Sequence, residues 1–539
     1  MLIFGLMLLS STIFLELVSG QNYSERYRLQ VHYSLPSGWL NDPNGLIVHG
    51  GVYHLFYQNY PYNKIWGPMH WGHAVSSDLI HWETLPAAIK PEDDGDIFSG
   101  CCVIDNRNVT GFSKDGIEPL VALFTLSKNG HQSQAMAYSY DNGLTFTHYD
   151  WNPIIENPSI PDFRDPNVIE LDGIYYMALA ANDRIIFYSS KDLLSWTKLS
   201  EFGASPSQGD KSGVWECPAI VTLTDENGTE YHVLIVSENG DAAGSVIQYF
   251  IGRFDGNQFV NQNDAATTLW LDHGPDNYAA VPFHNDPHGR VILIGWLSNW
   301  LYAELIPTSN WRGQMTIPRE LGLKTVNGNV HVVQQPIDDL QSIADTSKIW
   351  KIAESFSVGT TFTYNLSKES SIESSLLLLE YVFDIQNAQS GTVEFRFSNS
   401  YNEFVSFAYV AQENIYQLDR TKSGQTSFSH RFANEKRSFD RIDNSNNITG
   451  RIILDVASIE IFTDDGLNTF SALFFPTEPF NEVTINFAFD GNDGTNAVVI
   501  NELSLTPLKS IWSSSTAIRA SAGTIFIFSI LYFLSQIEI

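Results

Sequence analysis

Apolar and polar residues follow one another along this chain in two different rhythms. Through the first two-thirds, short runs rich in β-branched and aromatic residues recur at 51–57, 120–126, 173–179, 231–236 and 290–297. Gly, Asn and Asp fill the intervals, as expected of strands joined by turns. A second echo lies between them. Asp78-Leu-Ile-His-Trp82 and Asp192-Leu-Leu-Ser-Trp196 share an Asp-Leu-x-x-Trp pattern, and 141–146 and 255–259 carry looser versions. Units of roughly 40–60 residues, each built from several short strands, predict a β-propeller. Five runs predict five blades. Outside the two ends no long stretch keeps a helical period, which leaves an α/β barrel as the weaker alternative. The rhythm changes after Arg319-Glu320-Leu321. Residues 336–349 read as a linker. From 350 to 508, short segments such as 393–397, 404–409 and 483–488 alternate apolar with polar positions, which predicts a β-sandwich. The expected fold is all-β: a five-bladed β-propeller over 28–335 followed by a C-terminal β-sandwich.

Composition narrows the partners. At 539 residues two domains are the natural division, and 13% aromatic against 17% charged residues supplies a large core. Thirty basic against 61 acidic residues leave a net charge of −31, which repels phosphate backbones and excludes nucleic acid as a partner. Three cysteines, Cys101, Cys102 and Cys217, make no disulfide framework and lack zinc-site spacing. Asp93-Asp94-Gly95-Asp96 lacks the ligand spacing of a calcium loop and reads as a solvated turn. No metal or cofactor is therefore expected. Residues 1–20 run from an apolar stretch to Val18-Ser19-Gly20, the pattern of a cleaved secretory signal, although Glu16 interrupts it and no Lys or Arg lies near Met1. Asn-x-Ser/Thr sequons at Asn22, Asn108, Asn227, Asn365 and Asn447 suit an exported glycoprotein. The tail 513–539 ends in the apolar run 525–534, shorter than the about 20 residues of a membrane span. Small residues, a spacer and that run fit a glycolipid-anchor signal as well as a plain hydrophobic extension.

The chemistry lies in three acidic motifs. Asp42-Pro43-Asn44 and Asp165-Pro166-Asn167 each precede one of the strand-like runs, and Trp215-Glu216-Cys217-Pro218 precedes a third. A lone Asp-Pro-Asn is ordinarily a turn, with Asp bonding its own backbone and Pro fixing φ. Three carboxylates at repeated places in repeated units point instead to several acids aimed at one spot. Without an accompanying histidine set, they suggest acid/base and nucleophilic chemistry on a sugar.

The same motifs resemble those of the family 32 glycoside hydrolases, the invertases, levanases and inulinases that act on β-fructofuranosides. The resemblance extends to 66–75, 97–100, 297–302 and, in the second domain, Leu418-Asp-Arg-Thr-Lys-Ser-Gly424, and it runs in order from about 28 to 508. It implies the same propeller and sandwich, with Asp42 as nucleophile, Glu216 as acid/base and Asp165 as transition-state stabiliser. An oxocarbenium-like transition state calls for one carboxylate at the anomeric carbon and a protonated carboxyl at the leaving oxygen. An ionised acid on the ring hydroxyls strengthens its bonds as positive charge develops. Arg164 is expected to keep Asp165 ionised and to bind substrate as a donor to a sugar hydroxyl. Asn41, Gln58, Trp66, Phe98 and Ser99 match fructose-pocket positions, with Trp39, Leu40, Tyr278 and Trp300 as further lining candidates; each aromatic has a core role as its plain alternative. Cys101 and Cys102 read as small buried residues and not as a redox pair. The implied activity is that of a retaining, exo-acting β-fructofuranosidase on sucrose, inulin or levan. A fructosyltransferase and an inactive fructan-binding lectin are the alternatives on the same scaffold. The two Asp-Pro-Asn motifs would each open the inner strand of a different blade and would hold different roles.

Overall fold

The computed structural model describes residues 23–512 apart from 92–94, 206–207, 241–243, 265–266, 389 and 490–496. The signal at 1–20, the tail at 513–539, and Asp93 and Asp94 of the acidic turn lie outside the described residues. Five sheets follow one another along the chain to about residue 336, each built on four antiparallel strands paired in chain order, with one short extra strand added in the first and one in the fourth. They are the five blades. The runs that announced them in the sequence are the second strands: Val52–Tyr60, Leu120–Lys128, Ile174–Ala181, Glu230–Gly240 and Ile292–Trp296. Each is buried between neighbouring blades, so its residues are apolar almost without interruption.

The innermost strands are Gly38–His49, Asp96–Ile104, Phe163–Leu171, Gly213–Thr224 and Tyr278–Pro282. They contact one another in a closed ring around the propeller axis. The chain closes that ring with Trp311–Arg312, which pairs in parallel with Gly38 and Trp39 of the first blade. Gly313 follows at φ +90°, and a Cβ there would stand 1.8 Å from the Leu40 carbonyl oxygen, so only glycine lets the closing segment approach. The Asp-Leu-x-x-Trp echo is the turn from third to fourth strand. Asp78 caps the backbone N–H groups of Ile80 and His81, while Trp82 Nε1 donates to the Leu79 carbonyl. Asp192 and Trp196 repeat this in the third blade.

Residues 336–349 are packed more closely than a free linker. Of two 3-10 turns, Asp338–Ile343 and Thr346–Lys348, the first buries Leu340 and Ile343 against both domains. Beyond them two antiparallel sheets of seven and six strands form the sandwich, with alternate residues such as Val393, Phe395 and Phe397 pointing into the shared core. The sandwich meets the propeller through its edge strand Asn468–Leu473. The propeller segment leading into the fifth blade lies along that edge, with His273 N donating to Thr469 O at 2.8 Å and Asp276 N to Ser471 O at 3.0 Å. Buried ions reinforce the seam. His32 bridges Asp455 and Glu460 at 2.8 Å each, and Arg319 bonds Asp272 at 2.9 Å and Glu460.

Candidate active site

Every inner strand breaks register with its neighbour at the same height. Two of its residues oppose one on the second strand: Asn41 and Asp42 face Gln58, Phe98 and Ser99 face Thr125, and Asp165 and Pro166 face Leu179. Cys217 and Pro218 likewise face Val236, and Ala279 and Ala280 face Gly295. These are β-bulges, which bend a strand and re-aim its side chains. In the last three blades the first bulged residue is left-handed, at φ 65° for Asp165, 46° for Cys217 and 52° for Ala279.

Equivalent positions on adjacent blades then face each other, and the site is a set of rows across the propeller's end. Arg164, Glu216 and Tyr278 each stand just before their bulge and are bonded in series. The guanidinium donates to Glu216 Oε1 through Nε at 3.0 Å and Nη2 at 2.7 Å, and the Tyr278 hydroxyl donates to Glu216 Oε2. Asp165 and Cys217 each stand first in their bulge, and Asp165 Oδ2 accepts the Cys217 backbone N–H at 3.0 Å. Asp42 and Ser99 each stand second, and the serine hydroxyl donates to Asp42 Oδ2 at 2.8 Å. The Cys217 thiol joins the rows, 3.7 Å from Asp42 Oδ2 and 3.6 Å from Asp165 Oδ2. The three carboxylates named by the sequence therefore meet in one place.

Charge in this cluster is strained by burial. The Asp42 carboxyl is pushed up to about 6, first by loss of water and then by the nearby Glu216 carboxylate, against the donors of Asn41, Ser99 and Cys217. Asp165 is pushed up to about 7 by burial and by the Glu216 and Asp42 charges, with the Arg164 charge opposing. Arg164 was expected to keep Asp165 ionised, and its charge acts in that direction, but without a direct bond. Its guanidinium goes to Glu216 and Asp162 and reaches Asp165 only through its field. Asp165 is the left-handed first residue of the bulge, which re-aims its side chain away from that of Arg164.

The other expected residues divide by exposure. Phe98 and Trp300 are half-buried and Trp66 is 41% exposed, its ring set edge-on 6.0 Å from Phe98. These three form an open rim. Trp39, Leu40, Asn41, Gln58, Ser99 and Tyr278 are buried behind it. Trp39 stacks on Trp300 at 5.8 Å, and its Nε1 donates to Asn41 Oδ1, whose amide donates in turn to Asp42 Oδ1 at 3.0 Å. Gln58 gives its amide hydrogens to Asn44 and the Ile97 carbonyl. Leu40 has no exposed surface and packs in the core. Three residues escaped the sequence reading. Thr125 accepts the Asp165 backbone N–H at 2.9 Å, Asp162 pairs with Arg164, and Glu304 accepts the Trp66 backbone N–H at 3.1 Å. Asp162 carried a signal, two residues from Arg164 in the same motif; Thr125 lies in the strand-like run 120–126, and Glu304 lies in no motif or run. All three cysteines are free and buried. Among the described residues no group of His, Cys, Asp and Glu is arranged to hold a metal ion.

Comparison with known proteins matches the arrangement. The model of the glycosyl hydrolases family 32 N-terminal domain fits residues 32–336, and that of the family 32 C terminal fits 344–506. A levanase of Bacillus subtilis (strain 168) is 38% identical over 509 residues, 93% of this chain and 73% of the levanase. The crystal structure of an exo-inulinase from Aspergillus awamori superposes with a TM-score of 0.82 at 32% identity, covering 91% of this chain and all of that one (100%). A β-fructofuranosidase from Schwanniomyces occidentalis, solved with fructosyl-erythritol, gives 0.79 at 27% identity over 91% of this chain and 99% of its own.

Proposed function

The chain belongs to the glycosyl hydrolases of family 32 and is a glycosidase, and on that premise we propose that it is a retaining, exo-acting β-fructofuranosidase releasing terminal fructose from sucrose and fructans. The observation that carries the reading is the contrast between two carboxyls. Asp42 accepts only from neutral donors (Asn41, Ser99 and the Cys217 thiol), which fixes its oxygens while leaving them nucleophilic. Glu216 stands between a guanidinium and a phenol. A phenolic hydroxyl can donate to a carboxylate or accept from a carboxylic acid, so the Tyr278 contact survives either protonation state of Glu216.

In the first step an Asp42 oxygen attacks C2 of the fructosyl ring as the Glu216 proton passes to the glycosidic oxygen; the C2–O bond breaks and a fructosyl ester forms. In the second, water attacks C2, gives its proton to Glu216 and releases Asp42. Asp165, held by the Cys217 and Thr125 contacts, binds ring hydroxyls whose bonds tighten as C2 becomes cationic. Phe98, Trp66 and Trp300 offer apolar faces at the rim. Two net inversions give retention. Methanol as acceptor should therefore yield methyl β-D-fructofuranoside, and the α-anomer would refute the covalent route. The enzyme should release fructose from sucrose, inulin and levan compared side by side, and Asp42→Ala should abolish release while leaving the fold intact.

Export fits this reading, given the signal-like residues 1–20 and relatives named as extracellular exo-inulinases. No helix among the described residues is long and apolar enough to cross a membrane. The tail at 513–539 would then serve as a glycolipid-anchor signal, which phospholipase release of activity from intact cells tests.

A further inference from the structure

The sandwich carries Leu418-Asp-Arg-Thr-Lys-Ser-Gly424, a motif that resembles the family although it lies in the other domain from the carboxylates. Its arginine reaches across the seam. Arg420 Nη1 pairs with Asp276, a propeller carboxylate with no exposed surface, and Nη2 donates to the Tyr302 hydroxyl at 2.7 Å. That hydroxyl itself donates to Asp276, which also accepts the Leu473 backbone N–H at 2.7 Å. The guanidinium is held on its other sides by the Leu473 carbonyl at 2.9 Å and by the Phe432 ring, 4.1 Å beneath it. A planar cation with this many fixed partners has one orientation available.

Both groups that Arg420 grips lead directly into the site. Asp276 precedes Tyr278 by two residues, and Tyr278 holds Glu216. Tyr302 follows Trp300 by two residues, and Trp300 stacks on the Trp39 that steadies Asn41 and Asp42. The two segments are tied to each other as well, through Asn299 Nδ2 to the Pro275 carbonyl at 2.7 Å. Neither Tyr278 nor Trp300 has a hydrogen bond of its own to the sandwich among those of the described residues, so the clamp two residues away is what fixes them to it.

We propose that Arg420 is a positioning residue for the acid/base, acting through Asp276 on the Tyr278–Glu216 contact and through Tyr302 on the Trp300 wall. The inference rests on the glycosidase mechanism above. It separates Arg420 from a plain interdomain staple such as Arg319, which is equally buried but grips Asp272, six residues from Tyr278.

The test compares kcat/KM on sucrose, whose leaving group needs a proton, with kcat/KM on p-nitrophenyl β-D-fructofuranoside, whose phenolate leaves without one; hydrolysis of the fructosyl ester, which both substrates share and which also uses Glu216, does not enter this comparison. General acid catalysis contributes on the order of 10²–10⁴; a displaced Glu216 forfeits part of it on sucrose alone. Arg420→Gln should lower kcat/KM on sucrose about tenfold more than on the aryl substrate. Tyr302→Phe, which keeps the ring and removes only the hydroxyl, should show the same bias to a smaller degree, and it decides the matter if Arg420→Gln fails to fold. Arg319→Gln should lower the melting temperature without changing the ratio of the two rates. Equal losses on both substrates in the Arg420 and Tyr302 variants overturn the proposal, as does the same bias in Arg319→Gln. Failure of the unmodified enzyme to turn over either substrate would instead remove the functional reading, and this inference with it.

Discussion

Replacing Asp42, the proposed nucleophile, should make this protein more stable while it stops it working. The folded state lifts the Asp42 carboxyl from its ordinary 3.8 to about 6, because burial and the Glu216 charge both oppose ionisation. A carboxyl raised on folding contributes stability that is fully present below about pH 3.8 and is lost as pH rises through about 6. At pH 8 the ionised group therefore works against the fold. At about 1.4 kcal/mol per pH unit, the rise from 3.8 to about 6 amounts to about 3 kcal/mol. The pocket is partly open to water, which trims the figure to roughly 1–3 kcal/mol. Asp42→Asn removes the charge and keeps an acceptor oxygen for the Ser99 and Cys217 donors. Calorimetry of both proteins at about pH 8 and about pH 3.5 measures the effect. The variant should melt higher, by on the order of 1–3 °C, at the upper pH, and the gap should close at the lower one. A variant less stable than the parent at pH 8, or stabilised equally at both, would show that the buried carboxylate is not the source of strain.

The same electrostatics predict the acid side of the rate profile. Activity that needs ionised Asp42 should fall as pH drops through about 6. Ser99→Ala removes a donor that holds the carboxyl down, so the acid limb of kcat/KM should move up by about one pH unit; an unmoved limb refutes the assignment of that limb to Asp42. At the domain seam His32 titrates with the same sign, although there the fold favours the charged form against the cost of burial. Asp455 and Glu460 raise it from 6.5 to about 9, so its stabilisation is complete below 6.5 and lost as pH rises through about 9. His32→Gln should therefore destabilise strongly at pH 6 and much less at pH 10, and an equal loss at the two pH values would count against a charged His32.

How much of this was legible depended on what kind of neighbour each residue has. The second strands stood out because burial on both faces makes them continuous apolar runs. The inner strands did not: proline, asparagine and carboxylates occupy their upper halves, and they carry no alternation to read. The blade count came from periodicity, and the acids from their motifs. Contacts made across blades left no trace in one dimension. Arg164 sits beside Asp165 in sequence and was paired with it for that reason, whereas folding turns it to Glu216, 52 residues away. Thr125 and Glu304 looked like parts of a strand and a loop because their only tie to chemistry is spatial.

The two Asp-Pro-Asn motifs show why similar words carry different meanings here. In the first blade the bulge holds Asn41 and Asp42, and Pro43 resumes pairing; in the third it holds Asp165 and Pro166, and pairing resumes at Asn167. The motifs are thus one residue out of step with the bulge that aims them. Asp165 takes the left-handed first place, beside Cys217, while Asp42 takes the second, beside Ser99. That offset is fixed by the register of the partner strand and not by the motif itself. A propeller repeats its backbone fivefold, so a symmetric scaffold by itself would present five equivalent sites. Sliding one motif against the bulge breaks that equivalence. It puts two aspartates in different rows, leaves the row before the bulge to Arg164, Glu216 and Tyr278, and so sets Asp42 and Glu216, the proposed nucleophile and proton donor, in unlike surroundings within one pocket.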